Sequence, residues 1–197
     1  EGLTLVIRGL HSAGDLVQSF KQVAVDRATE QRRTFELLRT SQEVIATLQR
    51  TVQVAGHRLL VDIPADITLD GYPGPYGQVL TNLINNALLH AFGSRKGGTM
   101  QLQAQRLRNA QVEVRFSDDG VGIAAENLTR IFDPFFTTKM GQGGSGLGMS
   151  ISYNIVTSLF GGEFEVSSSP GNGSCFVMRL PLEAPQHAAA DPLIHRH

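Results

Sequence analysis

Four polar residues, Gln78, Asn82, Asn86 and His90, recur at every fourth position of the segment QVLTNLINNALLHAF, residues 78–92. On a helix with 3.6 residues per turn such positions share one face and lie about 6 Å apart. Val79, Leu80, Leu83, Ile84, Ala87, Leu88 and Ala91 fill the rest, so the segment reads as a core helix with one wet seam. A buried amide without a partner costs about 1–3 kcal/mol. The seam therefore needs an internal hydrogen-bond network or something bound to it.

Two further stretches have the residue types for a site. In SDDGVGI, residues 117–123, a strand pattern ends in Asp118, an acceptor-only carboxylate suited to an exocyclic amine, and the glycines behind it permit backbone approach to a flat ligand. A tight turn with a surface aspartate fits the same residues. GQGGSGLGMS, residues 141–150, contains GxGxxG, but a dinucleotide-binding turn requires a strand directly before it. Here DPFFTTKM precedes it, a loop interrupted by proline. What remains is a glycine loop feeding a helix N-terminus at Leu147, whose free N–H groups and dipole suit an anion, triphosphate foremost. A flexible loop with a helix cap is the alternative. No GxxxxGK[ST] loop, HRD or DFG set, or Ser-His-Asp order suggests another phosphotransferase or a hydrolase.

The elements that must position these residues follow from periodicity and turn signals. Leu3 to about Ala28 fits a seven-residue repeat, a long helix that packs either on partner helices or on its own domain; Gly9 and Gly14 weaken it. An extended piece around Thr34 and Phe35 leads to a helix from about Ser41 to Val54. Strands are expected at His57–Ile63 and Ile67–Leu69, with YPGPYG punctuating the chain before the polar-seamed helix. Met100–Arg106 and Gln111–Ser117 read as strands joined at Arg108 and Asn109. A short helix near Ala125–Ile131, a loop from Phe132 to Gly144, a helix from Leu147 to Phe160 and strands at Glu163–Ser167 and Ser174–Leu180 complete the pattern. The expected fold is a two-layer α/β sandwich, a mixed sheet covered on one face by helices. Residues 1–30 form an appendage, 31–183 the domain, and 184–197 a tail expected to be disordered.

Composition narrows the partners. The 197 residues are 41% hydrophobic, enough for a real core, and 17 basic against 18 acidic residues leave a net charge of −1. That balance gives no electrostatic footprint for nucleic acid or an anionic membrane. One cysteine, Cys175, excludes an internal disulfide, no zinc-ligand cluster is visible, and a reducing cytoplasmic compartment is expected. No apolar run is long enough to span a bilayer and the N-terminus lacks a signal peptide. The start without Met is read as a segment of a longer parent, which a membrane could still anchor.

In order and spacing, the seam, the Asp118 corner and the glycine loop resemble the ATP-binding domain of sensor histidine kinases, in the superfamily that also holds gyrase, the Hsp90 chaperones and MutL. NLINNA (82–87) resembles the family's N box, and DDGVGI (118–123), GSGLGMS (144–150) and GNGSCF (171–176) its three glycine boxes. FDPFF (132–136) resembles its F box. The resemblance covers about Phe35 to Leu182 and implies the Bergerat fold. It implies that Asn86 offers its side-chain oxygen to Mg²⁺, which keeps several waters and is shared with phosphate oxygens. Asn82 would line the phosphate path, and Asp118 would take the adenine amine, with Gly120 and Gly122 in its glycine box. Gly144, Gly146, Leu147 and Gly148 would offer N–H groups to phosphates, and Ser174 would sit near adenine. Phe132 to Gly144 would form a lid in which Lys139 is either a phosphate contact or a solvated residue.

Two departures stand out. Many members carry Lys three residues after the metal-binding Asn; here it is Leu89, and His90 beside it either replaces that charge in part or caps the helix. The family's phosphoacceptor histidine precedes Glu or Asp and a proline, whereas His11 precedes Ser-Ala-Gly-Asp and no proline. Residues 1–30 instead resemble the latter part of the dimerisation hairpin's second helix, so the catalytic histidine is expected outside this chain. The implied activity is histidine kinase catalysis within a homodimer, with relay to a response-regulator receiver. A nucleotide-binding module without transfer activity and a chaperone- or topoisomerase-like ATPase are the alternatives.

Overall fold

The computed structural model describes residues 31–139 and 144–186; the expected N-terminal helix, His11 and the end of the tail lie outside them. The described chain begins with strand β1 (Arg33–Glu36) and helix α1 (Leu37–Val54), then strands β2 (Arg58–Asp62) and β3 (Thr68–Gly71). Helix α2 (Pro73–Asn86) continues into a π-helical turn, Ala87–Ala91. Strands β4 (Thr99–Leu107) and β5 (Gln111–Asp118) precede the short helix α3 (Ala125–Leu128). Helix α4 (Gly148–Asn154) also ends in a π-helical stretch, Ile155–Leu159, before strands β6 (Glu163–Ser168) and β7 (Ser174–Pro181).

Five strands form a mixed sheet in the order β2-β4-β5-β7-β6, parallel between β2 and β4 and antiparallel elsewhere. Strand alternation decides which face is covered. Met100, Leu102, Val112, Val114, Phe116, Phe176, Met178 and Leu180 point to one side and are buried beneath the helices, with Leu80, Leu83 and Ile84 of α2 in the same core. The opposite side is polar. There Glu113 accepts from Arg115 at 2.9 Å and Arg179 at 3.3 Å, and Arg179 also pairs with Glu163 and Glu165. The Arg115 hydrogen bond holds the Glu113 carboxyl below its ordinary range. The fold is thus the expected α/β sandwich.

Three boundaries differ from expectation. Helix α2 begins at Pro73, because PGPY forms its first turn instead of a break before it; proline in a first turn lacks an N–H that would have no helical partner anyway. Helix α1 begins at Leu37 rather than Ser41, and Ser41 is buried, bonding the Leu37 carbonyl and the Tyr76 hydroxyl, both at 2.8 Å. The expected second strand pairs with β1 outside the main sheet. Disorder also does not start at Ala184: that residue is buried, its N–H donates to the Asp70 carbonyl at 2.8 Å, and the Tyr72 hydroxyl donates to the Pro185 carbonyl at 3.0 Å. Arg32 closes the same end by a bidentate pair with Asp70.

Candidate functional site

Register brings the first group together. Asp118 ends β5 directly opposite Ser174, which begins β7, and Ser174 in turn pairs with Ser168 of β6. All three side chains fall on the helix-covered face, at the end of the sheet where α2 finishes. Asp118 is buried and its Oδ1 accepts from the Gly120 N–H at 2.9 Å. Burial raises its carboxyl above the ordinary value, against the opposing pull of hydrogen bonds from Gly120 and Ser174.

The loop after Asp118 is stitched to its surroundings by backbone. Val121 N–H donates to Ala91 O at 2.8 Å, Gly171 N–H to Val121 O at 2.7 Å, and Gly173 N–H to Gly120 O at 3.0 Å. Gly122 has φ +74°, and a Cβ there would stand 2.1 Å from the Ser169 carbonyl oxygen. At Gly120 a Cβ would stand 2.4 Å from the Ala91 carbonyl oxygen. These glycines therefore let main chain meet main chain, a packing role that the expected ligand approach did not include.

Helix α2 supplies the second group, and its seam divides. The Asn82 amide nitrogen donates to the Gly148 carbonyl at 2.9 Å and the Ser152 hydroxyl at 3.0 Å, tying α2 to α4. Asn86, half-buried one turn later, has no side-chain hydrogen bond among the described residues. Gln78 has none either among the described residues, so this member of the polar row takes no part in a side-chain network there. His90 sits on the π-helical turn with Nδ1 at 3.2 Å from the Thr138 hydroxyl, and burial, then Lys139, lowers its pKa. π-Turns gather at functional sites because they re-aim side chains out of the helical register.

The third group is the segment between Phe132 and Leu147. Phe132 packs against Tyr153 and Phe164, while Arg130 lies over the Phe136 ring. Phe135 has φ +66°, sparsely populated for a non-glycine residue, and its backbone lies where a Cβ on Gly146 would collide at 2.4 Å. Thr137 Oγ1 accepts from the Lys139 N–H at 3.1 Å. Leu89, unexplained by charge, lies against Gly144: a Cβ there would be 3.5 Å from its side chain.

These groups enclose two adjoining cavities. One, of about 200 Å³, reaches Asp118, Gly122 and Ser174 and is otherwise lined largely by apolar groups such as Ile123, Met149 and Phe176. The other, of about 170 Å³, holds Asn82, Asn86, Gly144, Gly146 and Gly148. Asn86, His90, Phe136, Thr137 and Met149 line both and so mark their junction; Lys139 faces the first. Gly120 and Leu147 line neither, Gly120 for the reason above and Leu147 because it caps α4. Sequence reasoning missed Asn85, Asn127, Thr137 and Met149 as lining residues. Met149 adjoins the glycine loop and Thr137 follows the FDPFF stretch, but side-chain direction there depends on tertiary placement.

A mostly apolar slot with one buried carboxylate beside a glycine-lined chamber that holds three asparagines suits a molecule with an amine-bearing ring at one end and an anion at the other. Residues 71–184 match the family described as histidine kinase-, DNA gyrase B-, and HSP90-like ATPase. The adaptive-response sensory kinase SasA of Crocosphaera subtropica is 32% identical over 176 residues, 85% of this chain and 44% of that protein. The sensor protein DegM of a Bacillus species is 32% identical over 151 residues, covering 76% and 38%. The chain thus spans less than half the length of these relatives. Among solved structures, the catalytic domain of histidine kinase ThkA superposes with TM-score 0.69 at 25% identity, covering 78% of this chain and 97% of that one. With its two-layer fold and both halves of this cleft inside the matched span, the chain belongs to the histidine kinase-, DNA gyrase B- and HSP90-like ATPase family.

Proposed function

We propose that this chain is the ATP-binding catalytic part of a two-component sensor histidine kinase, and that Mg-ATP lies across the two cavities. Adenine occupies the first, with its amine donating to the Asp118 oxygen that Gly120 leaves free and Ser174 alongside. The phosphates occupy the second, near Gly144, Gly146 and Gly148, where the first turn of α4 directs N–H groups outward. Leu147 and Gly120 contribute through backbone placement, His90 stands where the two cavities meet, and Lys139 faces the adenine cavity from the lid side.

The observation that carries this reading is the division of labour between two amides one turn apart. Asn82 is committed to α4, whereas Asn86 stands at the junction of the cavities with its amide available. Among the described residues no cluster of His, Cys, Asp or Glu could hold a metal unaided. The donor set therefore fits Mg²⁺ arriving with the nucleotide, with Asn86 Oδ1 as one ligand beside phosphate oxygens and water. Bound there, Mg²⁺ would neutralise phosphate charge.

In the parent protein the γ-phosphoryl passes to an imidazole nitrogen while its bond to the β-phosphate oxygen breaks and ADP leaves. This domain's contribution is position and charge stabilisation. The attacking histidine and its acidic neighbour belong to a dimerisation hairpin, whose last part residues 1–30 resemble in sequence, and a response-regulator receiver aspartate takes the phosphoryl group next. One fold neighbour, ThkA, was solved in complex with the response regulator protein TrrA. The parent acts as a homodimer with this domain in the cytoplasm.

Asn86→Ala should abolish Mg²⁺-dependent ATP binding in calorimetry while leaving the melting temperature within a few degrees of the parent's. Unchanged binding would remove the central claim. Given a separate intact hairpin and radiolabelled ATP, the chain should label it in trans and leave His11 unlabelled.

A further inference from the structure

The two edges of the five-stranded sheet are built differently. Edge strand β6 carries Glu163 and Glu165 on its open face, and helix α3 packs beside it. Charge and cover of this kind keep an edge from pairing with another chain. Edge strand β2 carries its charges only at its ends, Arg58 and Asp62; between them Leu60 is 49% exposed and Val61 36%, and helix α1, which meets the strand, ends in Val54, 77% exposed. Its far side has no strand partner among the described residues.

Hydrogen-bond parity says which groups that edge offers. Arg58 directs its N–H to the Gly98 carbonyl, on the β4 side, so Arg58, Leu60 and Asp62 face inward along the ladder. Leu59 and Val61 direct their N–H and C=O groups outward. The sequence of the strand, Arg-Leu-Leu-Val-Asp, is close to a charge-reversed palindrome about Leu60. An identical strand laid antiparallel across a two-fold axis at Leu60 puts Arg58 opposite Asp62 of the second copy, twice. Leu59 then exchanges both backbone hydrogen bonds with Val61 of the second copy, and the two Leu60 side chains meet on the axis. Each outward backbone group gains a partner, and both charges are matched.

We propose that β2 is a self-association edge through which two copies of this chain join their sheets antiparallel about Leu60. The contact is a weak one, since two five-residue strands bury far less than the roughly 1,200 Å² of a standard stable interface. It operates where copies are concentrated. This inference rests on the sheet edge and not on the nucleotide site, so it stands or falls separately from the proposed kinase function.

The test is register-specific crosslinking of the full chain in a Cys175→Ser background. Leu60 is its own counterpart in a non-hydrogen-bonded pair, where Cα atoms lie about 4.5 Å apart, within disulfide range. Leu60→Cys should therefore give a disulfide-linked dimer under a mild oxidant, and Leu59→Cys, whose counterpart is Val61, should lag well behind. Adding Arg58→Asp or Asp62→Arg to Leu60→Cys places like charges opposite each other and should slow crosslinking about tenfold. Mixing those two variants should restore it, because each supplies the charge the other needs. Absence of the Leu60→Cys dimer, equal crosslinking at position 59, or indifference to the charge changes would overturn the proposal. Crosslinking at Leu60 reads this edge even where another segment also brings copies together, and the comparison of positions 59 and 60 holds should a charge variant unfold.

Discussion

The two walls of the cleft are made by different means. On the wall formed by the end of β5, the start of β7 and the end of α2, main chain is bonded to main chain: Val121 to Ala91, Gly171 to Val121, Gly173 to Gly120. Asp118 and Ser174 are buried within it. In the described part of the opposite wall, residues 132–139 and 144–146, Phe132 packs on aromatic rings and Thr137 and Thr138 make side-chain hydrogen bonds, with Phe135 half-exposed in a left-handed conformation. A wall tied by backbone can hold a flat ring in one orientation. A wall whose described ties are side chains can shift more readily than one bonded along its main chain. The difference assigns recognition to the first wall and accommodation to the second.

The strongest challenge to this contrast is Gly122→Ala. A methyl group at 2.1 Å from the Ser169 oxygen, on a residue with φ +74°, forces the backbone-tied wall apart. The expected loss is about 2–4 kcal/mol of stability, visible as a lower melting temperature, together with lost nucleotide binding. A variant that melts like the parent would show that the wall is not rigid.

Asp118→Asn is a subtler challenge on the same wall. The amide presents only one acceptor; its oxygen keeps the Gly120 N–H bond, and the ligand's amine meets an NH₂ group instead. ATP affinity should fall about 10–100-fold at unchanged melting temperature, as one hydrogen bond is lost and one unpaired donor gained. The parent's affinity should also decline in acid as Asp118 protonates, from a higher pH than an ordinary carboxylate with pKa 3.8, because burial raises its value. The same raised value favours the protonated folded state. Asp118 therefore contributes stability below its unfolded pKa and loses it as pH rises through the folded one, so the acid decline in affinity does not come from unfolding at this residue. The Asn variant should lack this carboxylate step in its affinity profile.

The smallest effect belongs to the lid side. Thr138→Val removes the 3.2 Å contact with His90 and should change stability by no more than about 0.5 kcal/mol. ATP affinity should move less than for Asp118→Asn. An equal or larger loss would erase the distinction between the walls.

Much of the site was legible because its residues sit at fixed offsets. A polar residue every fourth position, a carboxylate before two glycines and a glycine loop before a helix are local statements, and in the fold Asn82, Asn86, His90, Asp118, Gly122, Gly144, Gly146 and Gly148 line the two cavities. Less legible was anything set by an approach between distant segments. Gly122 faces Ser169, Leu89 faces Gly144 and Asn82 reaches Ser152, and no spacing rule brings those pairs together. The boundary errors have the same origin: PGPY resembles a break until it is seen as a first turn, and Ala184 resembles tail composition until Asp70 is beside it.

The sequence by itself therefore determined the elements and the chemistry available to them, since helical and strand periods and residue type are properties of adjacent positions. Tertiary structure alone decided which amide of the seam is engaged and which is available among the described residues, and which glycines serve main-chain packing. Those outcomes depend on close packing between segments far apart in the chain, where a displacement of an ångström changes a hydrogen bond into a collision.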